Sequence, residues 1–145
     1  MKTVTVTRSI QAPLNQVFLT ISDIRNFANA IPQITQVEFL TQQQMGVGTQ
    51  FRETRVEERG KEVTSDLEVV EYVENERIRL ASNADGTRWD TVFTLSDEGE
   101  RITLTAKMTD KPKTMVARLL NRFIYDSVEQ LESDMDAIKA FCEKP

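Results

Sequence analysis

The longest regular pattern in the chain lies near its end. From about Lys113 to Phe141, apolar residues recur at Val116, Leu119, Leu120, Phe123, Ile124, Val128, Leu131, Met135, Ile138 and Phe141. The steps are threes and fours, the period of one face of an α-helix. Arg118, Arg122, Glu129, Glu132, Asp136 and Lys139 occupy the other face, and neither Gly nor Pro interrupts the run. Pro112 precedes it, and Asp110 is placed to cap its start. At about 1.5 Å per residue such a helix spans roughly 40 Å, enough to cross a small domain. Its apolar stripe needs a partner of similar extent, and only the strands before it offer one.

Those strands are written in alternation. Val4, Val6 and Ile10 oppose Thr3, Thr5, Thr7 and Ser9, which predicts a half-buried first strand over 2–10. Pro13 then suits the first turn of a helix carrying Leu14, Val17, Phe18 and Ile21. Asp23 can cap a second short helix with Ile24, Phe27 and Ile31, which Pro32 ends. Six further strands are expected at about 34–42, 48–58, 61–73, 76–84, 87–96 and 100–109. The turns between them are Met45-Gly46-Val47-Gly48, Arg59-Gly60, Glu74-Asn75, Asp85-Gly86 and Asp97-Glu98-Gly99. Such short connections make neighbours pair as antiparallel hairpins. Val63, Leu67 and Val69, then Ile78 and Leu80, then Trp89, Phe93 and Leu95, then Ile102, Leu104, Ala106 and Met108 mark the dry face. Charged residues alternate with them on the wet one. The predicted class is α+β: a seven-stranded antiparallel sheet curled around a long C-terminal helix, with two short helices between the first and second strands.

Composition narrows the function classes. The 145 residues fit one domain, 1–145, with no linker or repeat; 39% hydrophobic and 28% charged residues suit a folded chain. The net charge of −5 and the lack of any basic run disfavour nucleic acid and anionic membranes. No apolar stretch reaches transmembrane length, and the opening MKTVTVTRSI lacks the apolar core of a signal peptide. A lone Cys142 forms no internal disulfide, so a reducing, cytoplasmic setting is expected. The absence of histidine removes the commonest general base and metal ligand. No metal set, cofactor motif or catalytic triad is expected, and Gly46-Val47-Gly48 precedes a strand, unlike a phosphate loop.

The order of elements, the opening VTRSIQAPLNQVFLTISDIRNFANAIPQITQVEFL and the turn-plus-strand GVGTQF resemble the START-related SRPBCC superfamily with its helix-grip fold. That superfamily includes polyketide cyclases and dehydratases, coenzyme Q-binding proteins and lipid-transfer domains. The likeness spans essentially the whole chain. It implies a cavity between sheet and C-terminal helix, and a small hydrophobic or amphipathic ligand (a lipid, isoprenoid quinone or polyketide) bound there or transported. The lining expected on that basis is Phe27, Phe51, Ser65, Leu67, Leu80, Ser82, Trp89, Thr91, Phe93, Met108, Leu119 and Phe123. A packed core in which the hydroxyls bond nearby backbone, and the aromatics and methionines are plain filling, explains the same residues. Two alternatives stand beside binding: a cyclase or dehydratase, and a protein-interaction module without ligand. For the enzyme no catalytic residue is assigned; Tyr72 and Tyr125 are the available acids, and Tyr72 falls on the wet face of its strand by parity. The strand at 48–58 is ambiguous. Phe51, Glu53, Arg55 and Glu57 share one side, and a solvated edge segment is the preferred reading over charged groups at a cavity wall.

Overall fold

β-Branched residues open the chain and form β1 (Lys2–Ile10). The computed structural model describes residues 2–57, 59–84, 87–112 and 124–145. After β1 come α1 (Leu14–Ser22) and α2 (Ile24–Ala30), then β2 (Ile34–Phe39), β3 (Gln50–Val56), β4 (Glu62–Val73), β5 (Arg77–Ala84), β6 (Thr87–Asp97) and β7 (Ile102–Pro112). The described part of the terminal helix, α3, is Ile124–Cys142. Its predicted beginning at 113–123 and the Asp85-Gly86 turn lie outside the described residues.

Local signals set the element ends. Pro13 occupies the N-cap of α1 with φ −62°. The Asp23 side chain accepts the backbone N–H groups of Arg25 and Asn26 at 3.0 and 3.3 Å, filling two donors that the first turn of α2 leaves open. Ile31 is extended, φ −108° and ψ 105°, because Pro32 follows it. Between β2 and β3, Gly46 and Gly48 take φ values of 86° and 97°. That left-handed region favours glycine. The Gln43 side chain braces this loop by donating to the carbonyls of Met45 and Val47 at 2.7 and 2.8 Å.

All strand neighbours are antiparallel, in the order β1-β7-β6-β5-β4-β3-β2, and the seven-stranded sheet curls as the helix-grip fold requires. Its register lays the inward side chains in rows. Val6, Ala106, Phe93, Ile78 and Tyr72 make one row; Val4, Met108, Thr91, Leu80 and Val69 make the next; Asp110, Trp89, Ser82, Leu67 and Phe51 make a third. α1 and α2 fill the concave side at the first row. The Phe18 ring meets Tyr72 edge-on at 5.3 Å, and Phe27 meets Phe93 at 6.0 Å. Phe18, Ile21, Ile78 and Ile138 are essentially fully buried, each contributing roughly 1.5–3 kcal/mol over an exposed position.

Two expectations are corrected. A β-bulge between Val69 and Glu71 inserts an extra residue in β4, so parity reverses beyond it and Tyr72 turns inward instead of onto the wet face. β7 runs on to Pro112, so Asp110 lies in the sheet opposite Lys2. Its carboxylate accepts the Lys2 backbone N–H at 2.7 Å, and the helix start that it is expected to cap lies outside the described residues.

Asp23→Ala should lower stability by about 0.5–2 kcal/mol, the usual value of an N-cap. The urea midpoint should fall with an unchanged m-value, since the fold survives.

Candidate functional site

Cover over the concave face is uneven. In the first row Ile78, Phe93, Ala106 and Val6 are all buried. In the second, Val69 and Leu80 are buried, whereas Thr91, Met108 and Val4 are only half-buried. In the third, Phe51 and Asp110 are buried at the ends, with Leu67 and Trp89 half-buried and Ser82 at 9% exposure between them. Ser65, also half-buried, stands opposite Glu53 on β3. Of the residues expected to line a cavity, Ser65, Leu67, Ser82, Trp89, Thr91 and Met108 thus fall together on one incompletely covered patch. Phe51 and Leu80 bound it. Phe27 and Phe93 belong to the plugged end, packed against each other. Leu119 and Phe123 lie outside the described residues.

Beside this patch lies the main departure from the sequence reading. β3 is not a solvated edge: Phe51 is fully buried and Glu53 is 6% exposed. The Arg55 Nε donates to Glu53, and its Nη1 donates to Asp134 on α3 at 2.9 Å. The side chains of Arg55, Glu53 and Asp134 are 13%, 7% and 9% exposed, so the ion pairs are largely removed from water. Pairing resolves the cost that made an inward strand look expensive, and the partner comes from an element 79 residues away. The sequence carries one weak signal for Asp134. It follows Leu131 by three and precedes Ile138 by four, on the buried stripe itself.

Burial pushes the Asp134 carboxyl above its ordinary value; Arg55 pulls it back and the Glu53 charge pushes it further up. Burial works against the Arg55 charge, but Asp134 and Glu53 more than restore it, so the guanidinium is held firmly protonated. The inner face therefore bears a fixed cation between two carboxylates, one of which has a raised affinity for a proton.

Other groups are less suited to chemistry. Cys142 is buried and donates to Thr20 Oγ1 at 3.4 Å. Burial pushes its thiol up, leaving a weak nucleophile. The outer face carries a ladder of exposed pairs, Arg52 with Asp66 at 2.8 Å and Arg79 with Asp90 at 3.0 Å, which cross-strand pairing explains. A depression of about 220 Å³ is lined mainly by residues that alternate onto that face, among them Gln50, Asp66, Glu68 and Arg88, with Leu67 and Ser82 also at its wall. Among the described residues no cluster of three or more His, Cys, Asp or Glu side chains is arranged to hold a metal ion, and no helix is long and apolar enough to cross a membrane.

Comparison with known proteins follows the fold. The model of the family described as polyketide cyclase / dehydrase and lipid transport matches residues 1–136. No curated protein matches the chain. Among solved structures, TTHA0849 from Thermus thermophilus superposes with a TM-score of 0.77 at 21% identity, covering 97% of each chain. CV1439 from Chromobacterium violaceum gives 0.78 at 18% identity over 100% of both chains. The di-domain ARO/CYC BexL gives 0.75 at 15% identity, with 99% of this chain matching 51% of that one. At these identities the likeness is one of fold.

Asp134→Ala should cost about 1.5–3 kcal/mol by chemical denaturation, because it removes a buried charge-assisted hydrogen bond and leaves Arg55 held by Glu53 alone. Asp136→Ala, two residues on, removes a partner of Arg8 that is 65% exposed and should be nearly neutral. The raised Asp134 value also fixes a sign. The native protein binds this proton more tightly than the unfolded chain does, so the group's contribution is full below the ordinary value of 3.8 and is lost as pH rises through the higher folded value. Between those two values wild-type stability should fall relative to that of Asp134→Asn, as read from urea midpoints measured across the acid range.

Proposed function

The chain belongs to the polyketide cyclase / dehydrase and lipid transport family, and we propose that it binds a small hydrophobic or amphipathic guest between the curled sheet and the C-terminal helix. One observation carries this reading: the concave face is plugged at the row of Val6, Phe93 and Ile78 but only partly covered at Leu67, Trp89, Thr91 and Met108. An apolar surface of that kind is stabilised by whatever removes it from water, at roughly 25 cal/mol per Å². Ser65, Ser82 and Thr91 supply the few polar points that orient a guest. Leu119 and Phe123 would close the space from the helix side, and residues 1–145 would act as one helix-grip domain.

A second reading is a cyclase or dehydratase. It is favoured by the buried carboxylate of Glu53 opposite Ser65 and by that of Asp134 on Arg55, with Asp134 disposed to keep a proton that a reaction could use. The similarity to BexL, an ARO/CYC by name, points the same way.

Binding is tested with Nile red, an uncharged lipophilic dye, together with native mass spectrometry of protein purified from cells. Saturable, blue-shifted emission is expected, weakened at least about tenfold by Thr91→Phe, which fills the patch. A co-purifying mass should diminish in the same variant. Emission that never saturates, or that ignores Thr91→Phe, would count against a guest site. Turnover of a poly-β-ketone chain that stops in Glu53→Gln while dye binding persists would favour the enzyme.

A further inference from the structure

The charged groups on the concave face are unevenly divided: beside the hydroxyls of Ser65, Ser82 and Thr91, which can donate or accept, carboxylates outnumber cations among the described residues. Glu53, Asp134 and Asp110 are buried there, and Arg55 is the one buried guanidinium among the described residues that accompanies them. Arg55 is already bound to both Glu53 and Asp134, so that group carries a formal charge of one plus against two minus. Asp110 adds a further formal negative charge at the other side of the patch. It is 2% exposed and stands directly opposite Trp89 in the β6–β7 register. An ionised carboxylate accepts hydrogen bonds and cannot donate them. A fourth group, the Thr49 hydroxyl, can donate as well as accept and does not tip that balance. Thr49 is wholly buried beside Val69, whose N–H its carbonyl accepts at 2.9 Å, and its hydroxyl has no hydrogen-bond partner among the described residues. Buried polar atoms of this kind are ordinarily satisfied.

We infer that the guest bears a head group that donates hydrogen bonds and carries no negative charge, an alcohol or an amine in place of a carboxylate or phosphate. The inference rests on the guest reading above and specifies its chemistry. An anionic head would add charge to a face whose described charged groups already sum to a net negative and are largely shielded from water, where repulsion is far stronger than in bulk solvent. It would also bring acceptors to a site already rich in them. A donor head meets the surplus oxygens. Trp89, half-buried opposite Asp110, adds an indole ring, a group to whose face a cationic amine is attracted.

The test compares decylamine, decanol and decanoate, which share a tail and differ at the head. Fluorescence of Trp89, the single tryptophan, reports binding at neutral pH and physiological salt, where long-range surface charge is screened. Decylamine and decanol should bind at least about tenfold more tightly than decanoate. Glu53→Gln and Asp110→Asn should each narrow that gap. Glu38→Gln, which makes the same change in net charge on an exposed part of β2, should leave it intact. Far-UV circular dichroism checks folding, and either inner-face variant suffices if the other does not fold. Decanoate binding as tightly as decanol overturns the inference, as does a gap that both inner-face variants leave unchanged. If all three probes fail while Nile red binds, the head-group inference falls and the guest reading stands. If Nile red fails as well, both fall.

Discussion

Closure of the sheet depends on one buried ion group. β1 and β3 lie near opposite ends of the strand order, with β7, β6, β5 and β4 between them. α3 packs mainly on β1 and also touches α1 and α2. From that seat Asp134 reaches across to Arg55 on β3, which Glu53 holds from the same strand. A helix docked on one edge is thereby tied to the far side of the curl. Desolvating three charges is costly, and the pairing must offset it through close, multiple hydrogen bonds. An apolar contact could hold the helix with similar strength. It would not fix the position of α3 along the strand so narrowly, since hydrophobic burial has no direction.

With the curl fixed, filling the interior becomes a matter of which short helix reaches where. α1 and α2 bring Phe18 and Phe27 onto Tyr72 and Phe93 and pack one end to the density of an ordinary core. The bulge in β4 contributes by turning Tyr72 inward to meet Phe18. The cover thins toward Trp89 and Leu67, where side chains of mixed polarity keep partial exposure. A closely packed core and a partly exposed patch are therefore built from different rows of the same sheet, so substitutions at the patch need not unfold the protein.

The family hosts both transport and cyclisation, and a shared fold does not choose between them. The choice lies with the polar groups on the concave face. Glu53, Arg55 and Asp134 tie the helix to the sheet, and they also set the charge on this part of the concave face. Changing the charge there also loosens the tie between α3 and β3.

Much of this molecule was legible in the chain itself. Alternation at Val4, Val6 and Ile10 and along β4 to β7 marked the strands. Asp23, Pro13 and Pro32 marked the ends of the short helices. The three–four spacing of Leu131, Met135 and Ile138 marked the buried side of α3. These signals connect neighbours in sequence, so they survive without knowledge of the fold. The facing of β3, the reversal of parity before Tyr72, the place of Asp110 in the sheet and the role of Asp134 emerged only from tertiary structure. Each turns on a partner far along the chain: Asp134 for Arg55, Lys2 for Asp110, Phe18 for Tyr72. A charged residue on a strand reads as solvated until the opposite charge that meets it is brought across the fold.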